Sequence, residues 1–413
     1  MKIVVSTPYR ENSIIAIASA AALKQQLICF YTTLYLKKFT CIAEHIPLTT
    51  LRRRVEAELN RRTYPGIPND LISSVAPFAE LAHVFSRRLL SDFRGLTNRL
   101  MYLVKDRFDC AVAKCETGKH SDIIVSMYAA AYETLSLIKK EGGVAVLNFV
   151  NSHPSYHNRY LKEFAHISND HHELIPRWVM QKVEKEIEAA DLILVPSFFV
   201  AKQLQKVDVP IRKIAIEPYG VNLSAFYPSP SSRQKLSAKK PVHCLYVGQI
   251  SHRKGIKILM EVARRCLKWP IRFTLIGPMV SPEVLKNIPR NTEYKGPTVL
   301  GGVAEAMREA DMFILPTLED ACALVVFEAM ASGLPVITTT QNGSGEIISH
   351  GVDGLIVPPG DVPTLVEEIE RLIGDQTWRS EIGEKARKKV EGSYSWENYG
   401  NRVLSKLRKL KAR

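Results

Sequence analysis

The chain is 413 residues long, too many for one hydrophobic core and suited to two domains of about 150–200 residues each. Its 46% hydrophobic and 24% charged residues fit a globular protein and exclude a disordered one. Lysine and arginine number 56 against 42 acids, and the net charge of +14 favours anionic partners: nucleotide phosphates, nucleic acid or an acidic membrane surface.

No apolar run approaches the length of about 20 residues that spans a bilayer. Met1-Lys-Ile-Val-Val-Ser enters a strand pattern directly, without the apolar region and cleavage site of a signal peptide, so a cytoplasmic location is expected. Seven cysteines without any Cys-x-x-Cys pair read as reduced core residues.

In chain order, Ile3–Val5 reads as a strand, Ser13–Gln25 as a helix and Ile28–Thr32 as a second strand. That is the β-α-β opening of a Rossmann-like domain. It carries no Gly-x-Gly-x-x-Gly, so no dinucleotide cofactor is expected. Residues 37–107 depart from the alternation and hold Lys37-Lys38, Arg52-Arg53-Arg54, Arg61-Arg62, Arg87-Arg88, Arg94 and Arg99 among Leu, Val and Phe. Amphipathic helices with solvated basic faces explain them; a surface for anionic lipid or a phosphorylated acceptor is the alternative. Ile123–Ser126 and Val144–Phe149 are strands flanking a helix over Ala129–Lys140, and Asn151-Ser152-His153-Pro154 and His157 follow. Asn169-Asp170-His171-His172-Glu173 lacks a second ligand pair at zinc spacing and reads as a polar surface loop.

Val179–Ala189 is an amphipathic helix and Leu192–Val195 a buried strand, with Ser197 the N-cap of the next helix. Ile214–Glu217 closes the first domain, and the proline- and serine-rich stretch Tyr227–Pro241 is a linker. The second domain opens with the strand Val242–Val247. Gly248-Gln-Ile-Ser-His-Arg253-Lys254-Gly255 comes next, then a helix over Ile256–Leu267. A glycine turn followed by two cations at a helix start opposes the helix dipole unless an anion is present, so it reads as a phosphate cradle. Phe273–Ile276 is the next strand.

Met312–Leu315 is a buried parallel strand, Glu319-Asp320 an acidic pair, and Ala323–Ser332 a helix stopped by Gly333 and Pro335 before the strand Val336–Thr338. Open α/β sheets bind ligands at this edge. Unpaired N–H groups at Cys322–Leu324 would favour a phosphate, while Asp320 and Glu328, eight residues apart, could each accept from a hydroxyl pair. Phosphate between two diols describes a nucleotide sugar. Taken singly, Asp320 reads as well as a helix-terminal charge and Glu328 as a solvated helix residue. Val362–Ile373 and Trp378–Val390 are helices. Tyr394–Arg413 has one apolar face and a basic one carrying Arg402, Lys406, Arg408, Lys409, Lys411 and Arg413.

Three segments in order carry a family resemblance: Asp320-x7-Glu328-Ala-Met-Ala-Ser-Gly-Leu-Pro-Val-Ile, then Gly343-Ser-Gly-Glu346, then Gly351-Val-Asp-Gly-Leu-Ile-Val-Pro-Pro-Gly-Asp361. The chain resembles retaining glycosyltransferases of family 4, which have the GT-B fold. The resemblance implies an α/β protein of two Rossmann-like, doubly wound domains facing a cleft, with the last helix crossing back onto the first. The expected divisions are an acceptor-side domain over 1–226, a linker over 227–241, a nucleotide-sugar domain over 242–393 and the basic helix over 394–413. The implied reaction moves a sugar from a nucleotide-sugar donor to a glycan, lipid-linked or small-molecule acceptor, with retention.

Carried over residue by residue, the resemblance makes His153, Lys254 and Asp320 the catalytic candidates. Gly248, Arg253, Lys254, Ala321, Cys322, Ala323, Leu324, Val325 and Glu328 become the donor-binding candidates. No Asp-x-Asp is present, so no metal is expected. Three positions depart from the family pattern: Asp320 stands for a glutamate, Ala321-Cys322-Ala323 for Gly-Phe-Gly, and Gln249 for an arginine. Gln249 and Ala321-Cys322-Ala323 keep a binding protein without turnover in view, and an epimerase or phosphorylase on the same fold is the rival enzyme. The basic surfaces make the inner face of the membrane a candidate peripheral partner, whereas a nucleic-acid role rests on charge alone.

Overall fold

The computed structural model describes residues 1–35, 63–82, 94–163, 174–229 and 240–412. The basic residues Lys37-Lys38, Arg52-Arg53-Arg54, Arg61-Arg62 and Arg87-Arg88, the loop Asn169-Asp170-His171-His172-Glu173 and residues 230–239 of the linker lie outside them.

Two parallel sheets organise the chain. The first comprises β1 (Ile3–Thr7), β2 (Leu27–Thr32), β3 (Ile72–Ser74), β4 (Ile123–Met127), β5 (Val144–Asn148), β6 (Leu192–Val195) and β7 (Ile214–Ile216), in the order β3-β2-β1-β4-β5-β6-β7. The second comprises β8 (Val242–Val247), β9 (Ile271–Ile276), β10 (Thr292–Tyr294), β11 (Met312–Leu315), β12 (Val336–Thr339) and β13 (Leu355–Val357), in the order β10-β9-β8-β11-β12-β13. Every pairing is parallel. β1, β4, β11 and β12 are buried at every position, which is why they read as apolar runs without alternation.

Both sheets reverse their winding once, between β1 and β4 in the first and between β8 and β11 in the second. At such a switch point the loops leave in opposite directions and open a crevice at the carboxyl edge. The edge strands β3, β10 and β13 are three residues each and carry too little pattern to be read from sequence. The helix expected over Ala129–Lys140 begins only at Tyr132. Ala129 has φ +62°, and the Glu186 carboxylate takes the N–H groups of Ala129 (2.8 Å) and Ala131 (2.9 Å), so this stretch is a pinned loop. Cysteine burial is uneven: Cys244, Cys266 and Cys322 are buried, but Cys110 is exposed.

The C-terminal helix Trp396–Lys411, capped by Ser395, packs on the helix Asn12–Leu23 and so returns to the first sheet as expected. Tyr399, Val403, Leu404 and Leu407 form its buried stripe. Its basic face is largely engaged. Arg402 and Lys406 both reach Glu217 just past β7 (2.9 and 3.2 Å), and Lys411 reaches Asp122 (2.6 Å). Among the described residues no helix is long and apolar enough to cross a membrane.

Candidate active site

The loops after β8 and β11 meet at the second switch point. Gly255 sits there at φ +77°, and a Cβ would lie 1.9 Å from the Pro316 carbonyl oxygen, so only glycine lets the two loops touch. Backbone bonds then stitch them: the Arg253 carbonyl accepts from Leu318 N–H (2.8 Å) and from the Thr317 hydroxyl (3.1 Å). This contact fixes the two cations against the acidic pair. Lys254 Nζ pairs with Asp320 Oδ2, both largely buried, while an Arg253 N–H donates to the Glu319 carbonyl (3.0 Å) and lies 3.6 Å from its carboxylate.

The expected row of free N–H groups is shorter than the sequence suggests. Cys322 N–H donates to Asp320 Oδ1 (3.2 Å) and Ala323 N–H to Asn342 Oδ1 (3.3 Å). Leu324 N–H, at the first position of the helix Leu324–Ala331, has no partner among the described residues. One bond is local, the short Asp320 side chain satisfying a donor two residues on, and the other is brought by Asn342 from beyond β12. Glu328 lies in that helix, makes no side-chain bond or ion pair among the described residues, and is pushed up to about 7 by burial.

The opposite wall of the cleft comes from the first sheet. Glu319 carries the contact: Ser152 donates to its Oε1, and His157 Nδ1 lies 3.2 Å from its Oε2. Burial opposes the charge on Glu319. The bonds from His157 and Ser152 and the nearby Arg253 outweigh it and hold the carboxyl down at about 2. Further bonds cross beside it: Tyr156 donates to Gln341 Oε1 (3.0 Å) and Ser197 to the Ala321 carbonyl (2.8 Å). Glu346 accepts from Phe198 and Phe199 N–H at a helix start (2.7 and 2.5 Å). Gly343 permits the approach, since a Cβ there would sit 1.9 Å from the Ala321 carbonyl oxygen and 2.4 Å from Ser197 Oγ.

His153 is enclosed on this same wall. Its N–H donates to Gln203 (2.8 Å), Nδ1 meets Ser155 Oγ (2.7 Å), the ring stacks on Phe149, and Nε2 is buried without a partner. Burial lowers its pKa to about 4, so the ring is neutral at pH 7.

Residues 241–375 match the family model described as "Glycosyl transferases group 1". They are a group 1 glycosyltransferase domain. The match begins at β8 and takes in both loops of the second switch point. Sulfoquinovosyl transferase SQD2 of Arabidopsis thaliana is 31% identical over 219 residues, 50% of this chain and 42% of that protein. Lipopolysaccharide 1,2-N-acetylglucosaminetransferase of Salmonella typhimurium is 29% identical over 236 residues, 52% of this chain and 61% of that protein. The chain thus spans about half the length of the curated relatives it matches.

Whole-chain similarity is found at the level of fold. Sucrose-phosphate synthase of Thermosynechococcus elongatus superposes with TM-score 0.69 at 18% identity, covering 100% of this chain and 99% of that one. Anabaena Alr3699/HepE, solved in complex with UDP and glucose, gives 0.64 at 15% identity and covers 99% and 100%. The fold is GT-B.

Within the glycosyltransferase domain the structure brings together Arg253, Lys254, Asp320 and the start of the 321–325 segment, while Gly248 lies at the end of β8 against Gly277, and Val325 and Glu328 sit in the helix Leu324–Ala331. His153 belongs to the facing wall and makes no hydrogen bond or ion pair with this set among the described residues. Sequence reasoning missed the part played by Glu319, Ser152 and His157. The signal available was two adjacent acids after a buried strand, which fits two carboxylates serving opposite sides of one loop.

Proposed function

We propose that the protein is a retaining glycosyltransferase of family 4 that uses a nucleotide-sugar donor without a metal. The observation that carries this is the meeting of Lys254, Asp320 and the open Leu324 N–H at the switch point of the matched domain. The charges of Arg253, Lys254, Glu319 and Asp320 cancel formally. An incoming diphosphate gives Lys254 a new partner and seats an oxygen at the helix start. Asp320, released from Lys254, then accepts from sugar hydroxyls, and ionised Glu328 accepts from the ribose diol. As the glycosyl bond breaks, negative charge grows on the departing diphosphate, where Lys254 offsets it. His153 Nε2, neutral, buried and unpartnered, meets a hydroxyl of the transferred sugar only once the wall around it opens.

UDP and UDP-sugars are the first ligands to titrate, in EDTA, by calorimetry; binding is expected there, and none to any nucleotide sugar sinks the reading. A product that stays free of acceptor in a soluble assay identifies an epimerase or phosphorylase instead. Glu328→Gln is expected to weaken UDP binding by about 1.5–3 kcal/mol, the worth of a hydrogen bond to a charged group. Because burial pushes the Glu328 carboxyl up to about 7, wild-type affinity for a UDP-sugar, whose diphosphate has no ionisation near neutrality, rises with pH through that value and the variant's stays flat. Equal pH profiles remove Glu328 from the ribose.

The proposed attachment to an anionic leaflet rests on the basic residues between Lys37 and Arg99, since the C-terminal helix spends most of its cations on Glu217 and Asp122. Flotation with anionic but not neutral vesicles, lost at high salt, is its expected result. No flotation at low ionic strength overturns it.

A further inference from the structure

The first sheet has its own switch point, between β1 and β4, and the groups around it are unlike those of the second. Tyr9 lies two residues past β1 and Tyr128 one residue past β4, so both stand at the carboxyl edge. Lys105, in the helix Arg94–Glu116, reaches the same place. Four residues after it, Asp109 accepts from Glu133 and Thr134 N–H (2.9 and 3.0 Å), at the start of the helix that leaves the end of β4. Lys105 is thus about 6 Å nearer the amino end of its own helix, on the cleft side of that level.

Lys105 is only 7% exposed, yet its ammonium makes no hydrogen bond and no ion pair among the described residues. It faces the rings of Tyr9 and Tyr102, 5.4 and 5.2 Å from their centroids. Among the described residues the charges acting on it are Glu186 and Asp106, which attract, and Lys182, which repels, and each nearby acid is bonded to other groups. Glu186 is held by the N–H groups of Ala129 and Ala131, Asp106 by Lys182, and Asp109 by the helix start. Burial lowers the Lys105 pKa to about 8, so at neutral pH most of the population still carries the charge.

A largely buried ammonium without a hydrogen bond or contact ion pair destabilises a fold, and aromatic faces and the more distant Glu186 and Asp106 offset only part of that cost. Breaches of this kind occur where a ligand completes the site. We propose that the first switch point binds an anionic group of the acceptor, a phosphate or a carboxylate, on the Lys105 ammonium between Tyr9 and Tyr102. The word acceptor rests on the glycosyl-transfer reading; the anion site does not. The carbon skeleton that bears the anion would lie against the Tyr9 and Tyr102 rings, at the first sheet's switch point, whereas the donor loops belong to the second sheet.

The test compares wild type with Lys105→Met, which keeps the length of the side chain and removes its charge. Calorimetry is run with glycerol 3-phosphate, glucuronate and inorganic phosphate, with glycerol and glucose as neutral controls, and separately with UDP. At least one organic anion is expected to bind wild type and to bind Lys105→Met ten-fold or more weakly, with UDP affinity unchanged. Which of the two binds assigns phosphate or carboxylate. Without ligand, Lys105→Met is expected to melt a few °C higher (order of magnitude from the stability of small domains), because an unpaired buried charge has gone.

Equal anion binding by the two proteins, or a Tm lowered by the substitution, overturns the site. Inorganic phosphate binding as tightly as glycerol 3-phosphate overturns the acceptor assignment, because the rings then add nothing. Anion binding intact while UDP binds neither protein refutes the donor reading and leaves the Lys105 site standing.

Discussion

Lys254→Ala is expected to reduce kcat for sugar transfer by about 10²–10³-fold, the usual loss when one preorganised donor to developing charge is removed. Gln249→Ala should change it far less, since the Gln249 side chain is exposed and it is its carbonyl that the Tyr246 hydroxyl holds (2.7 Å). Lys254 also has a structural partner, and removing it leaves Asp320 largely buried without a counter-ion, so the variant should melt lower as well. The two effects separate when Lys254→Ala/Asp320→Asn is compared with Asp320→Asn alone. Adding Lys254→Ala restores Tm, because no lone charge remains, while kcat falls further. A kcat equal to that of Asp320→Asn would show that Lys254 only keeps the loop in place. Equal losses in Lys254→Ala and Gln249→Ala would remove the cation from the diphosphate.

The donor side was legible in the sequence because its chemistry is local. Gly255, Lys254 and the 320–328 segment are each read within a dozen residues, and the glycine turns and helix start restrict the backbone enough to place them. What sequence could not give was the state of those groups without ligand. That Lys254 meets Asp320 depends on Gly255 touching Pro316, a contact between residues 61 apart in the chain. The N–H groups of Cys322 and Ala323, free in the sequence reading, are taken, the first by nearby Asp320 and the second by Asn342, which arrives from beyond β12. On the first domain the difficulty is greater. Lys105 reads as one more cation on a basic amphipathic helix, and only the packing of Tyr9 and Tyr102 shows that it faces inward.

Glu319 is where the two domains are coupled, and Glu319→Gln is expected to lower stability by about 3 kcal/mol, toward the lower end for breaking a buried pair. The substitution keeps the shape of the side chain. It removes the charge facing Arg253 and weakens the bonds from Ser152 and His157. The pH dependence identifies the charge as the cause. The folded carboxyl titrates at about 2 against 4.5 for an ordinary glutamate. Its contribution is therefore complete above about pH 4.5 and fades as pH falls toward 2. Urea unfolding from pH 6 down to pH 3 should show the gap between wild type and Glu319→Gln closing as the wild type loses its advantage. A gap of constant size across that range would mean that shape, and not charge, joins the domains at Glu319.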